Sequence, residues 1–395
     1  MQLVLVADAF PPLRSSAAVQ LRDLTIELIK QGVDLLVIIP DSNLEQNWKV
    51  EDFGGAKILR LYSLPVKNIN YFYRTLNEFL MPFFMRRNLL KSPFRNHKFD
   101  GVIWYSPSIF HAPFVKYLKK KSQCKSYLII RDIFPDWALD MGLIKQGIIY
   151  WCFKLVANYQ YSIADIIGVQ TPGNKIYFEK WQKKNGKTLS ILDNWLIDPD
   201  YKVCSIEINK TSLAGRKIFV YAGNMGVAQG MDEIIDLAES MISLSEIGFI
   251  FVGRGSEVAR LKQKAKDKKM VNVLFFDEID PDEIPSLYSQ CRVGVVALDA
   301  RHKTHNIPGK FITYMQCGLP VLANINLGND LKELIETHNV GRVKDIKSKS
   351  SLKDTALLLL NDITEHDDIS KRCRALFKNR FHASSAVKNI LSHFN

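Results

Sequence analysis

A chain of 395 residues that is 47% hydrophobic and 24% charged has globular composition, and at roughly 100–200 residues per domain it holds about two domains. Its 53 Lys plus Arg against 41 Asp plus Glu give a formal net charge of +12, which favours acidic partners such as phosphates, anionic lipid or nucleic acid without choosing among them. There is no collagen period, no low-complexity tract and no apolar run near the roughly 20 residues of a membrane span, so those classes fall away.

From the N-terminus, MQLVLVADAF predicts a buried strand at 2–8 followed by a Pro-Pro loop. It lacks the basic n-region and small-residue cleavage site of a signal peptide, so a cytoplasmic location is expected. Short β-branched runs predict further strands at 33–39, 57–62, 99–104, 126–130 and 164–169, with helices between most of them. The segment IDPDYKVCSIEINKTSLAG is rich in turn formers and reads as a linker over 197–214, separating a domain at 1–196 from one at 215–375. Strands of the second domain are predicted at 217–222, 247–252, 271–276, 292–297 and 319–323, and 376–395 reads as a closing helix. The alternation predicts an α/β chain of two tandem, doubly wound, Rossmann-like domains, with ligands expected in a cleft at the carboxyl ends of both sheets. Six scattered cysteines with no C-x-x-C read as buried reduced thiols, not as a metal knuckle or redox pair.

The loops that follow the strands carry the chemistry. YAGNMGVAQGMDEI places Gly223, Gly226 and Gly230 between a strand and a helix, either as a tight turn or as a cradle of backbone N–H groups for a diphosphate. FVGRGSEV brings Gly253, Arg254 and Gly255 to the next strand end, where Arg254 is a candidate for an anionic ligand or a solvated loop residue. RHKTHNIPGKFITYMQCG gathers Arg301, His302, Lys303, His305, Asn306 and Lys310 before a helix marked by Pro308 and Gly309, a pattern suited to phosphate. In NINLGNDLKELIE, Gly328 and Asn329 form a turn and Asp330 is expected to cap the following helix. In the first domain, DAFPPLRSSAAVQL offers Arg14, Ser15 and Ser16, and YSPSIFHAPF offers Ser108. RDIFPDWALDMG offers Arg131, Asp132, Asp136 and Trp137, carboxylates for a sugar or its hydroxyl proton and an indole for a pyranose face.

On these strings the sequence resembles the family 4 retaining glycosyltransferases of the GT-B fold. YSPSIF, SYLIIRDIFPDW, DNW at 193–195, YAGNMGVAQGM, RHKTHNIPGKFITYM and GNDL resemble more narrowly the WbuB-type N-acetyl-L-fucosamine transferases of bacterial surface polysaccharide (O-antigen or capsule) assembly. It departs from the broader pattern in three places. His305 and Thr313 stand where a pair of glutamates is usual, Asn224 and Gln229 where Arg and Lys are common, and Ser15 and Ser16 where two glycines are common.

The resemblance implies a UDP-sugar donor, a 6-deoxy-amino sugar such as N-acetyl-L-fucosamine, a polyprenyl-diphosphate-linked acceptor, retention of configuration and no metal cofactor. It assigns Lys310, Arg254, His305 and Asp132 to catalysis. Donor binding falls to Gly223, Asn224, Gly226, Gln229, Arg301, His302, Asn306, Gly328, Asn329 and Asp330, and acceptor binding to Ser15, Ser16, Ser108, Arg131 and Trp137. A nucleotide-sugar 2-epimerase of the same fold and a non-catalytic nucleotide-sugar-binding partner are the alternatives; net charge alone argues for nucleic acid, with no motif behind it.

The charge is uneven. Up to residue 196 there are 26 Lys plus Arg against 16 Asp plus Glu, and from 197 onward 27 against 25. Within 53–99, nine basic residues and the single acid Glu78 interleave with Tyr71, Phe72, Tyr73, Phe79 and Phe83. This segment suits a peripheral contact with an anionic membrane surface, or a helix with one buried apolar face and one solvated basic face. With the implied acceptor, it places the protein at the inner face of the cytoplasmic membrane.

Overall fold

The computed structural model describes residues 1–13, 15–67, 69–199, 202–299, 307–344, 351–366 and 368–394. The chain forms two units, Met1–Ile197 with Ala383–Asn395, and Asp198–His382. The first runs β1 (Gln2–Val6), α1 (Ser16–Lys30), β2 (Asp34–Asp41), β3 (Trp48–Phe53), β4 (Ala56–Tyr62), α2 (Tyr71–Leu89), β5 (Gly101–Tyr105), α3 (Ala112–Ser122), β6 (Lys125–Ile129), α4 (Asp136–Asp140), α5 (Ile148–Ile163), β7 (Ile166–Val169), α6 (Glu179–Asn185) and β8 (Thr188–Ile191). The second runs β9 (Lys217–Ala222), α7 (Asp232–Ser240), β10 (Ile247–Val252), α8 (Val258–Asp267), β11 (Val273–Phe276), α9 (Ile284–Tyr288), β12 (Val293–Ala297), α10 (Gly309–Cys317), β13 (Val321–Asn324), α11 (Asp330–His338), β14 (Gly341–Val343), α12 (Leu352–Glu365) and α13 (Ile369–Leu376). The last helix, α14 (Ala383–Leu391), rejoins the first unit.

The first sheet has the order β3-β4-β2-β1-β5-β6-β7-β8 and the second β11-β10-β9-β12-β13-β14. All strand pairs are parallel except β3 with β4. Each sheet reverses its winding once, at β1/β5 and at β9/β12, and in open α/β sheets such switch points leave room for a ligand. The predicted strands are all present. The β3–β4 hairpin was missed, although its signal is local: Gly54 and Gly55, at φ 55° and 93°, form the two-residue turn that a tight antiparallel hairpin needs.

Of the segment read as a linker, 197–214, Ile197 falls in the first unit and the rest belongs to the second, burying Cys204, Ile206, Ile208 and Leu213 in it. The closing segment divides. Residues 376–382 stay with the second unit, while α14 buries Ala383, Val387 and Ile390 in the core beneath the first sheet. Its Asn389 accepts hydrogen bonds from Tyr127 Oη (3.1 Å) and Ser190 Oγ (2.8 Å) and donates to the Ile191 carbonyl (3.3 Å). Removing 383–395 is therefore expected to raise amide exchange throughout the first sheet and leave the second unit protected, as read by peptide-resolved hydrogen exchange. The cysteines also differ from expectation. All six are free, but only Cys204 and Cys373 are buried, and Cys152 is exposed on α5.

Candidate functional site

In the second unit the switch point is built from two interlocked turns. Gly223 N donates to the Val252 carbonyl (2.9 Å), Met225 N to the Arg254 carbonyl (2.7 Å) and Glu257 N to the Met225 carbonyl (3.1 Å). These bonds bring the chain so close that a Cβ on Gly253 would stand 2.2 Å from the Gly223 oxygen, and one on Gly255 2.2 Å from the Met225 oxygen. Both glycines hold positive φ, 136° and 151°. Their glycine character is thus explained by turn-on-turn packing.

Across the switch point, Lys310 rises from the first turn of α10 toward Gly223, where a Cβ would lie 3.6 Å from Lys310 Cε and 3.7 Å from its Nζ. Lys310 Nζ donates to Tyr221 Oη (2.5 Å), which in turn donates to the Asn224 carbonyl (2.7 Å). Burial of the ammonium pulls its pKa from the ordinary lysine value down to about 7. The group is thus a half-buried cation with no carboxylate among the described residues in its hydrogen-bond shell, poised at the strand ends where an anion would be welcome.

The other expected donor residues arrange themselves around this point. Gln229 Oε1 accepts from Gly226 N (2.9 Å) and Asn224 Nδ2 (3.2 Å), so the two residues that stand where cations are common brace the turn. Gly230 closes the turn at φ 56°, and the Asp299 backbone passes 3.2 Å from where a Cβ would be. At the end of β13, Gly328 has φ 76°, and the cap of α11 is Asn329, whose Oδ1 accepts from Leu331 N (3.0 Å). Asp330, expected to be the cap, is the first helical residue instead, since the shorter reach to N2 favours the residue before it. Asn329 also donates to Asn326 Oδ1 (2.9 Å), leaving the buried Asn326 Nδ2 with no partner among the described residues. Arg254 stands apart: its side chain is 76% exposed and lies 3.3 Å from Glu278. Arg301, His302, Lys303, His305 and Asn306 lie outside the described residues, as does Arg14.

In the first unit, Ser15 caps α1, accepting from Ala18 N (3.3 Å), and Ser16 begins the helix. Ser108 Oγ accepts from Phe110 N (3.5 Å) in the loop after β5. Asp132 is exposed after β6 and Trp137 is half-buried on α4. Asp136 is engaged by Lys154 (2.6 Å) and by the Tyr150 hydroxyl (3.0 Å).

Arg131, expected at the acceptor, lies in the interior of the first unit. It is buried, both terminal guanidinium nitrogens included, and it stacks over Trp195 at 4.9 Å. Trp195 Nε1 donates to the Gln20 carbonyl (2.8 Å), while Gln20 takes a bond from Tyr105 Oη (2.9 Å) and gives one to Asn194 (2.9 Å). Asn194 and Trp195 after β8 are thus joined to Gln20 of α1 and Tyr105 of β5, with the Arg131 guanidinium stacked on the same indole.

Two first-unit residues escaped the sequence reading. His111, at the start of α3, is fully buried, neither ring nitrogen has a hydrogen-bond partner among the described residues, and burial pulls its pKa down to about 4, so it is neutral near pH 7. Asp8 follows β1 at the switch point; burial raises its pKa against the opposing pull of Lys67 and Arg74. The available signal was positional, since both lie just past the carboxyl ends of the two strands that flank the reversal, β1 and β5. Among the described residues, no group of three or more His, Cys, Asp or Glu is placed to hold a metal ion.

Residues 216–362 match the family described as Glycosyl transferases group 1. The chain is 24% identical over 223 residues to a protein named probable glycosyltransferase WbjE from Pseudomonas aeruginosa, covering 55% of each chain. It is 24% identical over 253 residues to one named putative colanic acid biosynthesis glycosyl transferase WcaI from Escherichia coli K12, covering 62% of this chain and 61% of the other. The chain thus spans a little over half the length of these relatives. Among solved structures, sucrose-phosphate synthase from Thermosynechococcus elongatus superposes with TM-score 0.76 at 14% identity, over 100% of this chain and 98% of that one. Anabaena HepE in complex with UDP superposes with TM-score 0.70 at 15% identity, over 100% and 99%. The fold is GT-B, and the match to the group 1 glycosyl transferases lies within the second unit.

Proposed function

From a group 1 glycosyltransferase domain on a GT-B fold, we propose that the protein is a retaining, metal-independent glycosyltransferase. It moves a 6-deoxy-amino sugar, N-acetyl-L-fucosamine or a close relative, from UDP to a polyprenyl-diphosphate-linked sugar in bacterial surface polysaccharide synthesis. The observation that carries this reading is Lys310, an ammonium held beside the Gly223 turn at the switch point of the second sheet. Other HepE structures, named as complexes with UDP-glucose and with UDP and glucose, support a UDP-sugar as the ligand class.

In the proposed reaction the bond between the anomeric carbon and the UDP oxygen breaks as the acceptor hydroxyl attacks from the same face. The hydroxyl proton passes to the departing phosphate oxygen, and the products are UDP and the extended lipid-linked glycan. Negative charge grows on the β-phosphate along this path, so a fixed cation at Lys310 stabilises the transition state more than the bound donor. Arg254 can join it by leaving Glu278. His305, Arg301, His302 and Asn306 keep donor roles by resemblance. Asp132, exposed after β6, is a contact for the acceptor or transferred sugar, and Ser15, Ser16, Ser108 and Trp137 line the acceptor side by the same reading. The first unit works at the inner face of the cytoplasmic membrane, touching it through 53–99.

The test is a panel of UDP-sugars offered with undecaprenyl-diphosphate-linked acceptors, read by mass spectrometry and NMR. Transfer of a 6-deoxy-amino sugar with retained configuration, undiminished by a chelator, is the expected result. Release of a 2-epimer from the donor alone, or donor binding without transfer to any acceptor, would replace the reading.

A further inference from the structure

The outer surface of one helical layer in the first unit is apolar where a water-facing layer should be polar. Helices α2, α3, α5 and α6 share a single core on one side of the sheet, including Met85, Phe114, Tyr161 and Trp181. Helix α5 buries Tyr150, Ala157, Gln160 and Tyr161, of which Ala157 and Tyr161 belong to that core. Its opposite face exposes Ile148 (83%), Trp151 (55%) and Leu155 (69%), with Leu143 just upstream and Cys152 and Tyr159 in line. The spacing 148, 151, 152, 155, 159 is that of a helical stripe, so α5 is apolar on both faces and its outer face needs a cover.

A second stripe runs along α2, where Phe72, Leu76, Phe79 and Phe83 are exposed and lead to Arg86 and Arg87. Helix α3 lies between the two. The Arg86 guanidinium of α2 stacks over Tyr117 of α3 at 4.7 Å, and Lys116 of α3 stands 5.7 Å from the ring of Tyr159 on α5. The strip between the apolar stripes is thus cationic, with Lys116 and Lys120 exposed on it. The only acids on the four helices are Glu78 and Glu179, each ion-paired within its own helix, to Arg74 (3.0 Å) and Lys183 (2.6 Å).

We infer that α5 is a membrane-docking helix that works with α2: the two stripes enter the headgroup and upper acyl region of an anionic bilayer while the α3 lysines meet lipid phosphates. The chemistry selects this occupant. Aromatic side chains with a polar tip, Tyr71, Tyr73, Trp151 and Tyr159, suit the membrane interface. A second copy of the same surface would set the α3 lysines against like charges. The inference rests on the lipid-surface part of the proposed function and adds α5, which lies outside 53–99. Vesicle binding is read without turnover, so failure here is distinct from failure of sugar transfer.

The experiment uses the full chain with vesicles of phosphatidylcholine, with and without phosphatidylglycerol. The triple variant Ile148→Ser, Trp151→Ser, Leu155→Ser should bind the anionic vesicles at least about tenfold more weakly with an unchanged far-ultraviolet spectrum, since three exposed apolar groups lose their insertion. Alkylation of Cys152 in the unaltered protein, followed by peptide mass spectrometry, should slow when vesicles are added. Lys116→Glu with Lys120→Glu should abolish the preference for phosphatidylglycerol. Binding of the triple variant equal to that of the parent, Cys152 alkylation indifferent to vesicles, or a parent dimer that the triple variant dissociates would overturn the inference.

Discussion

Lys310→Met is expected to lower sugar transfer by about a hundred- to a thousandfold, the range found when a preorganised donor to a developing anion is removed, with the fold intact. The residue is placed for a large effect. It is fixed by Tyr221 Oη, which is itself fixed by the Asn224 carbonyl, so the ammonium needs little rearrangement as charge develops. Methionine keeps an unbranched side chain of similar length and removes the ammonium, which lies 3.8 Å from the centre of the Tyr221 ring, together with its hydrogen bond to Tyr221 Oη. Unchanged turnover at saturating donor would take Lys310 out of the mechanism.

The same residue predicts the pH dependence. With its pKa near 7 in the free protein, the ammonium loses its proton as pH rises through that value, so UDP should bind more weakly above it. Binding below it needs no proton, whereas binding above it takes one up, a difference that calorimetry in buffers of unlike ionisation enthalpy reads directly. The stability consequence has the opposite sense from a salt-bridged lysine. The folded pKa is depressed, so between about 7 and the ordinary value of 10.5 the unfolded chain holds a proton that the folded chain has released. The penalty for burying the cation is therefore complete below about pH 7 and is relieved as pH rises through that window. Lys310→Met should accordingly raise the melting temperature of the ligand-free protein at neutral pH while it removes activity.

Gly255→Ala should destabilise the second unit by more than about 3 kcal/mol, because the methyl carbon would overlap the Met225 carbonyl and the backbone is already at a φ that side chains rarely adopt. Neither turn can retreat without breaking the hydrogen bonds at Met225 N and Glu257 N that join them. Loss of UDP binding should follow, since the Gly223 turn hangs on the same bonds. Gly226→Ala is the contrasting case: its new carbon would meet the Asn224 amide at 3.0 Å, the far end of a flexible side chain, and its φ of −110° suits any residue. That variant should fold and report on the turn's ligand side alone. Equal melting temperatures for the two variants would contradict this account of the glycines.

Much of the fold was legible because parallel strands buried on both faces announce themselves as short β-branched runs, as in KIFVYA and IGFIFV. The antiparallel β3 was less legible: WKVEDF is half-exposed at a sheet edge and lacks that continuous apolar run. The candidate site divided in the same way. Gly223 and Lys310 could be singled out because turn glycines and a cation at a helix start have local signatures, whereas the cap of α11 was expected one residue late, at Asp330 instead of Asn329. Arg131 and Arg254 looked alike as arginines at strand ends, yet one is buried over Trp195 and the other lies in solvent beside Glu278.

The amino-acid sequence by itself determined most of the parallel strands of the two sheets, the turns that need glycine and the surplus of positive charge before residue 197, because each depends on neighbours within a few positions. The tertiary structure alone decided that Lys310 lies beside the Gly223 turn, that α14 completes the first core, that His111 is buried neutral, and that α5 leaves an apolar stripe exposed. Those outcomes depend on which surfaces meet across hundreds of residues, and a helix that is apolar all round has the same sequence whether a core or a bilayer covers its second face.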